Sequence, residues 1–435
     1  MSHLTIGILG ILLFFVLIFL RIPIAFAMAF TGFIGFSILT SFDAGYRMLV
    51  TEIYNTFTSY SLSVIIMFIW MGFLAYYSGL GTRMYLFAYR LVGHLPGGLA
   101  IATQFACGAF GAICGSNTAS AATMGAIALP EMKKYNYDSS LATASIAAGG
   151  VLGVLIPPSV IFILYGMTTE QNIGKLFIAG IIPGILLMLL YIASIFILTL
   201  RNPELAPPGP KASWKERLQA LFGGLFEALI IFSLSIGGLF VGWFTPTEAG
   251  AVGAAGIFIL GLLKRQLNFE KIKKSLLDTT KTTAMIMLII AGAIIFGRFI
   301  AISRIPSELA NFIDSLLLPV FLIMGFILLI HFILGCFIDA LALILLTTPI
   351  FYPIVVTTLG YDPIWFGVII VLIVAMGVIT PPVGINVYII KGVAANVELE
   401  TIFKGIWPFL IAIIICIVLL IAFPGLATFL PNLLQ

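Results

Sequence analysis

The chain is a succession of apolar runs long enough to cross a lipid bilayer, and this constrains its fold more than any other feature. The runs cover 4–20, 24–41, 61–79, 139–165, 181–200, 219–243, 247–263, 282–298, 364–390 and 405–430. A helix of about 20 apolar residues spans the hydrocarbon core while satisfying its own N–H and C=O groups. Only 9% of the 435 residues are charged and 61% are hydrophobic, whereas a soluble domain carries about 25% charged residues. The fold class is therefore an all-α polytopic membrane protein. Leu4 to Leu20 lacks a basic leader and a small-residue cleavage site, and reads as a retained helix rather than a signal peptide. No basic patch interleaved with aromatics is present, so no nucleic-acid partner is expected. Cys107, Cys114, Cys336 and Cys416 form no CxxC pair and read as small buried hydrophobes.

Two regions, 97–130 and 316–353, are apolar runs interrupted near the middle by polar or small residues. Each half is short for a clean span, so both are expected to be helical hairpins that enter the membrane and return. The prolines then expose a repeat. Pro23 recurs as Pro246 and Pro130 as Pro353, each 223 positions on. Tyr137-Asp138 recurs as Tyr361-Asp362, and Pro157-Pro158 as Pro381-Pro382, each 224 positions on. "MFIWMG" (67–72) matches "MLIIAG" (287–292) at an offset of 220. The halves cover about 21–200 and 244–430, joined by the polar, Pro-rich "RNPELAPPGPKASWKER".

Charge placement gives the orientation. Of 21 Lys and Arg, only Arg47, Lys175, Arg298 and Arg304 fall on one side; the rest mark the cytoplasmic side. "EMKKYNYD" (131–138) is then cytoplasmic and its counterpart "IVVTTLGYD" (354–362) external. The halves are expected to be inverted repeats, with both termini periplasmic. Inverted repeats with broken helices point to a secondary transporter.

The first interruption reads "GSNTASAATMG" (115–125). Backbone that stops being helical inside a membrane is tolerated only where it lines a protein cavity. A helix ending at such a tip aims carbonyls at it, which suit Na⁺; one starting there aims N–H groups, which suit a carboxylate. Ser116, Asn117 and Thr118 add uncharged oxygens. Taken alone, this stretch reads first as a polar cap or a set of interhelical hydrogen bonds and only second as a site. "GVLIPPSVIF" (153–162) changes that, because a double proline must break its helix and free carbonyls near Leu155 to Pro158, beside the Ser159 hydroxyl. "GVITPPVGINVY" (377–388) repeats the break with Thr380, Gly384 and Asn386. The second tip, "GCFIDALA" (335–342), carries Asp339 within an apolar stretch, either reaching external water or coordinating a cation. Glu227 is assigned a structural role, by snorkelling or by a partner contact. Glu248 complements a helix start, and His331 is a satisfied packing residue. Segments 43–57 and 263–276 are expected to lie flat at opposite interfaces as amphipathic arms, or to be solvated connectors.

"GSNTASAATMG", "GVLIPPSV", "TPTEAGAVGA" and "ITPPVGINVY" together resemble the large membrane subunit of tripartite ATP-independent periplasmic (TRAP) transporters, in order and over essentially the whole chain. That resemblance implies an elevator: a scaffold (1–95 and 219–315) and a transport domain (96–200 and 316–435), connected through a cytoplasmic linker (201–218). It implies sodium as coupling ion with no other cofactor, a soluble periplasmic substrate-binding protein, and a small four-helix membrane subunit expected to be a separate polypeptide. Carried onto this sequence, it implies sodium sites at Ser116, Asn117, Pro157 and Ser159, and at Gly335, Asp339, Thr380, Pro381 and Gly384. It implies substrate contacts at Thr118, Ser120, Pro158, Pro382 and Asn386. The second tip lacks the Ser-Asn-Thr triplet, so its ligands rest more on backbone. The substrate class implied is a small organic acid, such as a dicarboxylate or sialic acid, imported across a bacterial inner membrane. A stand-alone sodium-coupled carboxylate carrier of the same inverted-hairpin design is the alternative. No enzymatic activity is expected: the histidines are His3, His94 and His331, and no HExxH, GxSxG or GxxxxGK[ST] motif is present.

Overall fold

Helices begin where the sequence supplies a side-chain oxygen for the orphan N–H groups of a first turn. The computed structural model, which describes residues 2–315 and 318–434, uses Ser2, Ser41, Ser116, Asp138, Ser159 and Asn172 in this way in the first half. Ser213, Thr245, Asn268, Asp339 and Asp362 do the same in the second. The first half runs α1 (His3–Phe19), α2 (Ile24–Leu39), α3 (Phe42–Thr58), α4 (Ser63–Tyr77), α5 (Leu80–Val92), α6 (Gly98–Cys114), α7 (Asn117–Lys134), α8 (Ser139–Leu155), α9 (Val160–Thr168) and α10 (Ile173–Arg201). The second runs α11 (Trp214–Phe240), α12 (Pro246–Leu263), α13 (Phe269–Ile302), α14 (Ile305–Ser315), α15 (Val320–Gly335), α16 (Ala340–Thr358), α17 (Pro363–Gly377), α18 (Ile385–Val393), α19 (Leu399–Ala422) and α20 (Gly425–Leu433). Among the described residues, seven helices are long and apolar enough to cross a membrane, or eight if the bent pair α8–α9 is one span.

The repeat read from the prolines is physical. Asp138 caps α8 by accepting from Ser140 and Leu141 N–H (3.0 and 3.1 Å), and Asp362 caps α17 by accepting from Trp365 N–H (2.8 Å). Each capped helix runs into a double proline, and each break is followed by a nine-residue helix, α9 or α18. Both Pro-Pro bonds are cis. The first break bends its helices by 41°. α8 and α17 are buried along nearly their whole length, which explains why they are apolar all round.

Short helices α5 and α14 lie outside the apolar runs recognised from sequence. The run 405–430 is two helices, α19 and α20, parted at Phe423-Pro424, where Pro424 has no N–H to extend the α19 ladder. The expected first arm is helix α3, tied to α13 by an ion pair between Glu52 and Arg298 (2.8 Å). The second is not a separate helix. Residues 264–268 form a turn, and 269–276 are the first turns of the 34-residue α13, which runs unbroken to Ile302 since the segment holds no proline and its two glycines, Gly292 and Gly297, pack against α2 and α16. There Gly292 faces the Ala25 carbonyl, and a methyl on Gly32 would meet Phe296 N at 2.7 Å. The expected start of the second hairpin at residue 316 lies outside the described residues. The linker is not loose: its Leu205 and Ala206 carbonyls accept from Asp138 N–H (2.9 Å) and Gly97 N–H (3.1 Å).

Candidate functional site

Gly115 makes the first tip possible. It ends α6 with φ of 62°, in the left-handed region where a side chain is strained. A methyl there would come within 2.6 Å of the Pro158 carbonyl oxygen, so the tip lies directly on the first break. Val160 N–H donates to the Gly115 carbonyl at 3.4 Å. Ser116 then starts α7, its Oγ accepting from Ala119 N–H (3.3 Å) and lying 3.2 Å from Thr118 Oγ1. Asn117 is 7% exposed, and its Nδ2 has no hydrogen-bond partner. A buried amide donor left unpaired is costly, so this one calls for a partner.

The second tip repeats the arrangement with different chemistry. α15 ends at Gly335, and a methyl on Gly377 would lie 2.8 Å from Gly335 Cα, so this tip abuts the second break. Asp339 starts α16, its Oδ2 accepting from Leu341 N–H at 3.0 Å.

The tips face one cavity of about 530 Å³. Ser116, Asn117 and Thr118 line it from the first tip, Asp339 to Leu341 from the second, and Val160 and Ile161 from the start of α9. Three helix N-termini therefore converge on one space, each bringing the positive end of its dipole and those first-turn N–H groups that its own cap does not engage. α6, α8, α15 and α17 end at the same tips and breaks, which directs free carbonyls there.

Not every residue expected at the site reaches this cavity. Pro157, Pro158 and Ser159 are buried just behind the first tip, with Ser159 Oγ accepting from Phe162 N–H (3.4 Å). Ser120 is buried, 3.1 Å from Cys114 Sγ. Thr380, Pro381, Pro382 and Gly384 form the second break off the cavity; Pro381 and Pro382 are exposed, and Thr380 Oγ1 donates to Met376 O at 2.7 Å. Asn386 is fully buried, its Nδ2 donating to Ala147 O of α8 at 3.1 Å, its Oδ1 unpaired. It ties the second broken helix to the first half of the chain.

The opposite wall comes from α4 and α13, through Gly72, Phe73, Tyr76, Thr282, Met285 and Ile286, and Phe110 and Ile389 complete the lining from α6 and α18. A methyl on Gly72 would meet Cys114 Cα at 2.9 Å, so α4 touches the first tip backbone to backbone. These residues were missed from sequence, although the "MFIWMG"/"MLIIAG" repeat lies on α4 and α13. Elsewhere Glu227 is 7% exposed and bonded to Lys264 and, at 3.6 Å, to Arg83, a structural partner contact. Glu248 closes a capping box with Thr245 at the start of α12. His331 is only half satisfied: Nδ1 lies 2.7 Å from Ile327 O, and Nε2 has no partner among the described residues.

Comparison with known proteins decides the family. The model of the tripartite ATP-independent periplasmic transporter, DctM component, matches residues 11–426. The chain belongs to the DctM family of TRAP transporters. It is 34% identical to the C4-dicarboxylate TRAP transporter large permease protein DctM of Pseudomonas aeruginosa, over 89% of this chain and 90% of that one. It is 32% identical to the sialic acid TRAP transporter large permease protein SiaM of Vibrio cholerae, over 96% of each. It is also 32% identical to the 2,3-diketo-L-gulonate TRAP transporter large permease protein YiaN of Escherichia coli, over 93% and 94%. In fold it is similar to the YdaH transporter of Alcanivorax borkumensis, with a TM-score of 0.62 at 16% identity, covering 89% of this chain and 88% of that one. The DctM-family chain is thus a polytopic membrane transporter component and not a member of an enzyme family.

Proposed function

We propose that this chain is the large permease subunit of a sodium-driven TRAP transporter that imports a small organic acid. One observation carries the reading: both hairpin tips and the first broken helix turn their N-termini onto one cavity beside the buried, unpaired Asn117 amide. N–H groups and helix dipoles suit a carboxylate, and the carbonyls of the helices that end nearby suit Na⁺. Sodium travels as cargo, held at the first tip by Ser116, Asn117, Ser159 and the carbonyls of the Pro157-Pro158 break. A second ion is held by Asp339, Gly335 and the Thr380 to Gly384 backbone. Thr118 and Asn386 support the substrate site.

The mechanism is an elevator. Bound sodium orders the tips and completes the carboxylate site, and the loaded domain then slides against α2, α4, α12 and α13. The substrate arrives on a periplasmic binding protein, and a small membrane subunit braces the scaffold in the bacterial inner membrane. The skewed Lys and Arg placement supports inverted halves and periplasmic termini.

The test is uptake into proteoliposomes holding the chain, its small subunit and its binding protein. An inward sodium gradient drives uptake and a potassium gradient does not. Ser116→Ala and Ser159→Ala lower sodium-dependent uptake while membrane insertion is kept; wild-type sodium dependence in both variants sinks the site assignment.

A further inference from the structure

We propose that the cargo is a monocarboxylate with an apolar body, such as a branched-chain 2-oxo acid, rather than a dicarboxylate or a polyhydroxylated sugar acid. This rests on the carboxylate site described above. Among the described residues, Asp339 is the one charged side chain in the cavity wall, and no Lys, Arg or His reaches it. The donors that suit a carboxylate are gathered at the tips: the start of α7 with Asn117, the start of α16, and the start of α9. Away from them the wall is mainly apolar, through Ile69, Phe73, Phe110, Met285, Ile286 and Ile389.

A substrate with one carboxylate places it at the tips and lays its body along this apolar wall, where burial is favourable. A second carboxylate on a short chain meets either that wall or Asp339. On the wall it is an unpaired buried charge; beside Asp339 it is opposed by like charge. Sodium at Asp339 cancels that repulsion but leaves no surplus positive charge to hold a second anion. A sugar acid carries several hydroxyls, and the same wall offers them few partners. Away from the tips Tyr76, Thr123 and Thr282 supply hydroxyls, enough for a 2-oxo or single hydroxyl group and fewer than a polyhydroxylated sugar acid needs. The cavity volume of about 530 Å³ lies in the usual range for small-molecule sites and admits such a body whole.

The experiment measures sodium-dependent binding of three labelled probes to the purified full-length chain: 4-methyl-2-oxopentanoate, succinate and N-acetylneuraminate. The oxo acid is expected to bind about tenfold or more tightly than either competitor, because groups left unpaired on a wall cost that much discrimination. Met285→Lys puts a cation at the apolar end, on a side chain already 54% exposed, and is expected to move the ratio toward succinate. A wild-type preference for succinate or N-acetylneuraminate overturns the substrate class and leaves the carboxylate site standing. Failure to bind all three in sodium overturns the site itself. An unchanged ratio in a folded Met285→Lys variant overturns the role assigned to the wall.

Discussion

The seam between α15 and α17 sets where the second tip sits, and it rests on a glycine that tolerates nothing larger. A methyl placed on Gly377 would lie 2.7 Å from the Gly335 carbonyl oxygen and 2.8 Å from Gly335 Cα, and closer still to the Gly335 carbonyl carbon. Ordinary carbon contacts need about 3.5–4.0 Å, so the two helices must part by about 1 Å. The opposing atoms are all backbone, and no rotamer change relieves them. Such overpacking costs about 1–3 kcal/mol, and it displaces Asp339, four residues beyond the seam. The reciprocal substitution behaves differently. A methyl on Gly335 meets Val374 at 3.5 Å and Gly377 at 3.6 Å, which is ordinary contact. Gly335 has no positive φ, and alanine at a compatible helical position stabilises by about 0.4–1 kcal/mol. Gly377→Ala is therefore expected to lower the thermal midpoint of the purified protein and its uptake rate. Gly335→Ala is expected to match or exceed the wild type in stability and to retain uptake. Equal midpoints for the two variants, or a lower one for Gly335→Ala, would refute the seam.

Three other perturbations test separate parts of the structure. Glu227→Gln leaves Arg83 and Lys264 facing each other without their shared anion; Arg83 is 21% exposed and Lys264 40%. The loss is expected to be about 3 kcal/mol, at the low end for a broken buried pair because Lys264 reaches water, read as a lowered unfolding midpoint whose deficit shrinks in Glu227→Gln/Arg83→Met. Gly115→Ala adds a methyl 2.6 Å from Pro158 O at φ of 62°, where left-handed backbone alone costs about 1–2 kcal/mol for an L-residue. It is expected to weaken sodium-dependent uptake strongly, and activity equal to wild type contradicts the contact between tip and break. Asn386→Ala removes the bond to Ala147 O (3.1 Å); that carbonyl keeps its own helical partner within α8, so the expected cost is about 0.5–1.5 kcal/mol for one lost hydrogen bond. Hydrogen exchange should rise in both α8 and α18; a rise in α18 alone refutes the cross-half tie.

The sequence by itself determined the class, the repeat and the residues of the tips. Apolar runs, matched prolines and the Asp138/Asp362 caps are local or periodic signals, and they survive folding because each acts through its own turn of backbone. The double prolines mark their breaks for the same reason: a missing N–H and a ring clash need no tertiary partner. What sits opposite each tip is a different kind of fact. Gly72 against Cys114, Gly377 against Gly335 and Asn386 against Ala147 join residues far apart in the chain, and each glycine looks like any other of the 43. Equivalence in sequence also concealed a difference in place. Pro157 and Pro158 are buried behind the first tip, whereas Pro381 and Pro382 are exposed. Only the tertiary structure decided which polar groups share the cavity, because contact between helices depends on the close approach of small residues, and that approach leaves no periodic trace in the chain.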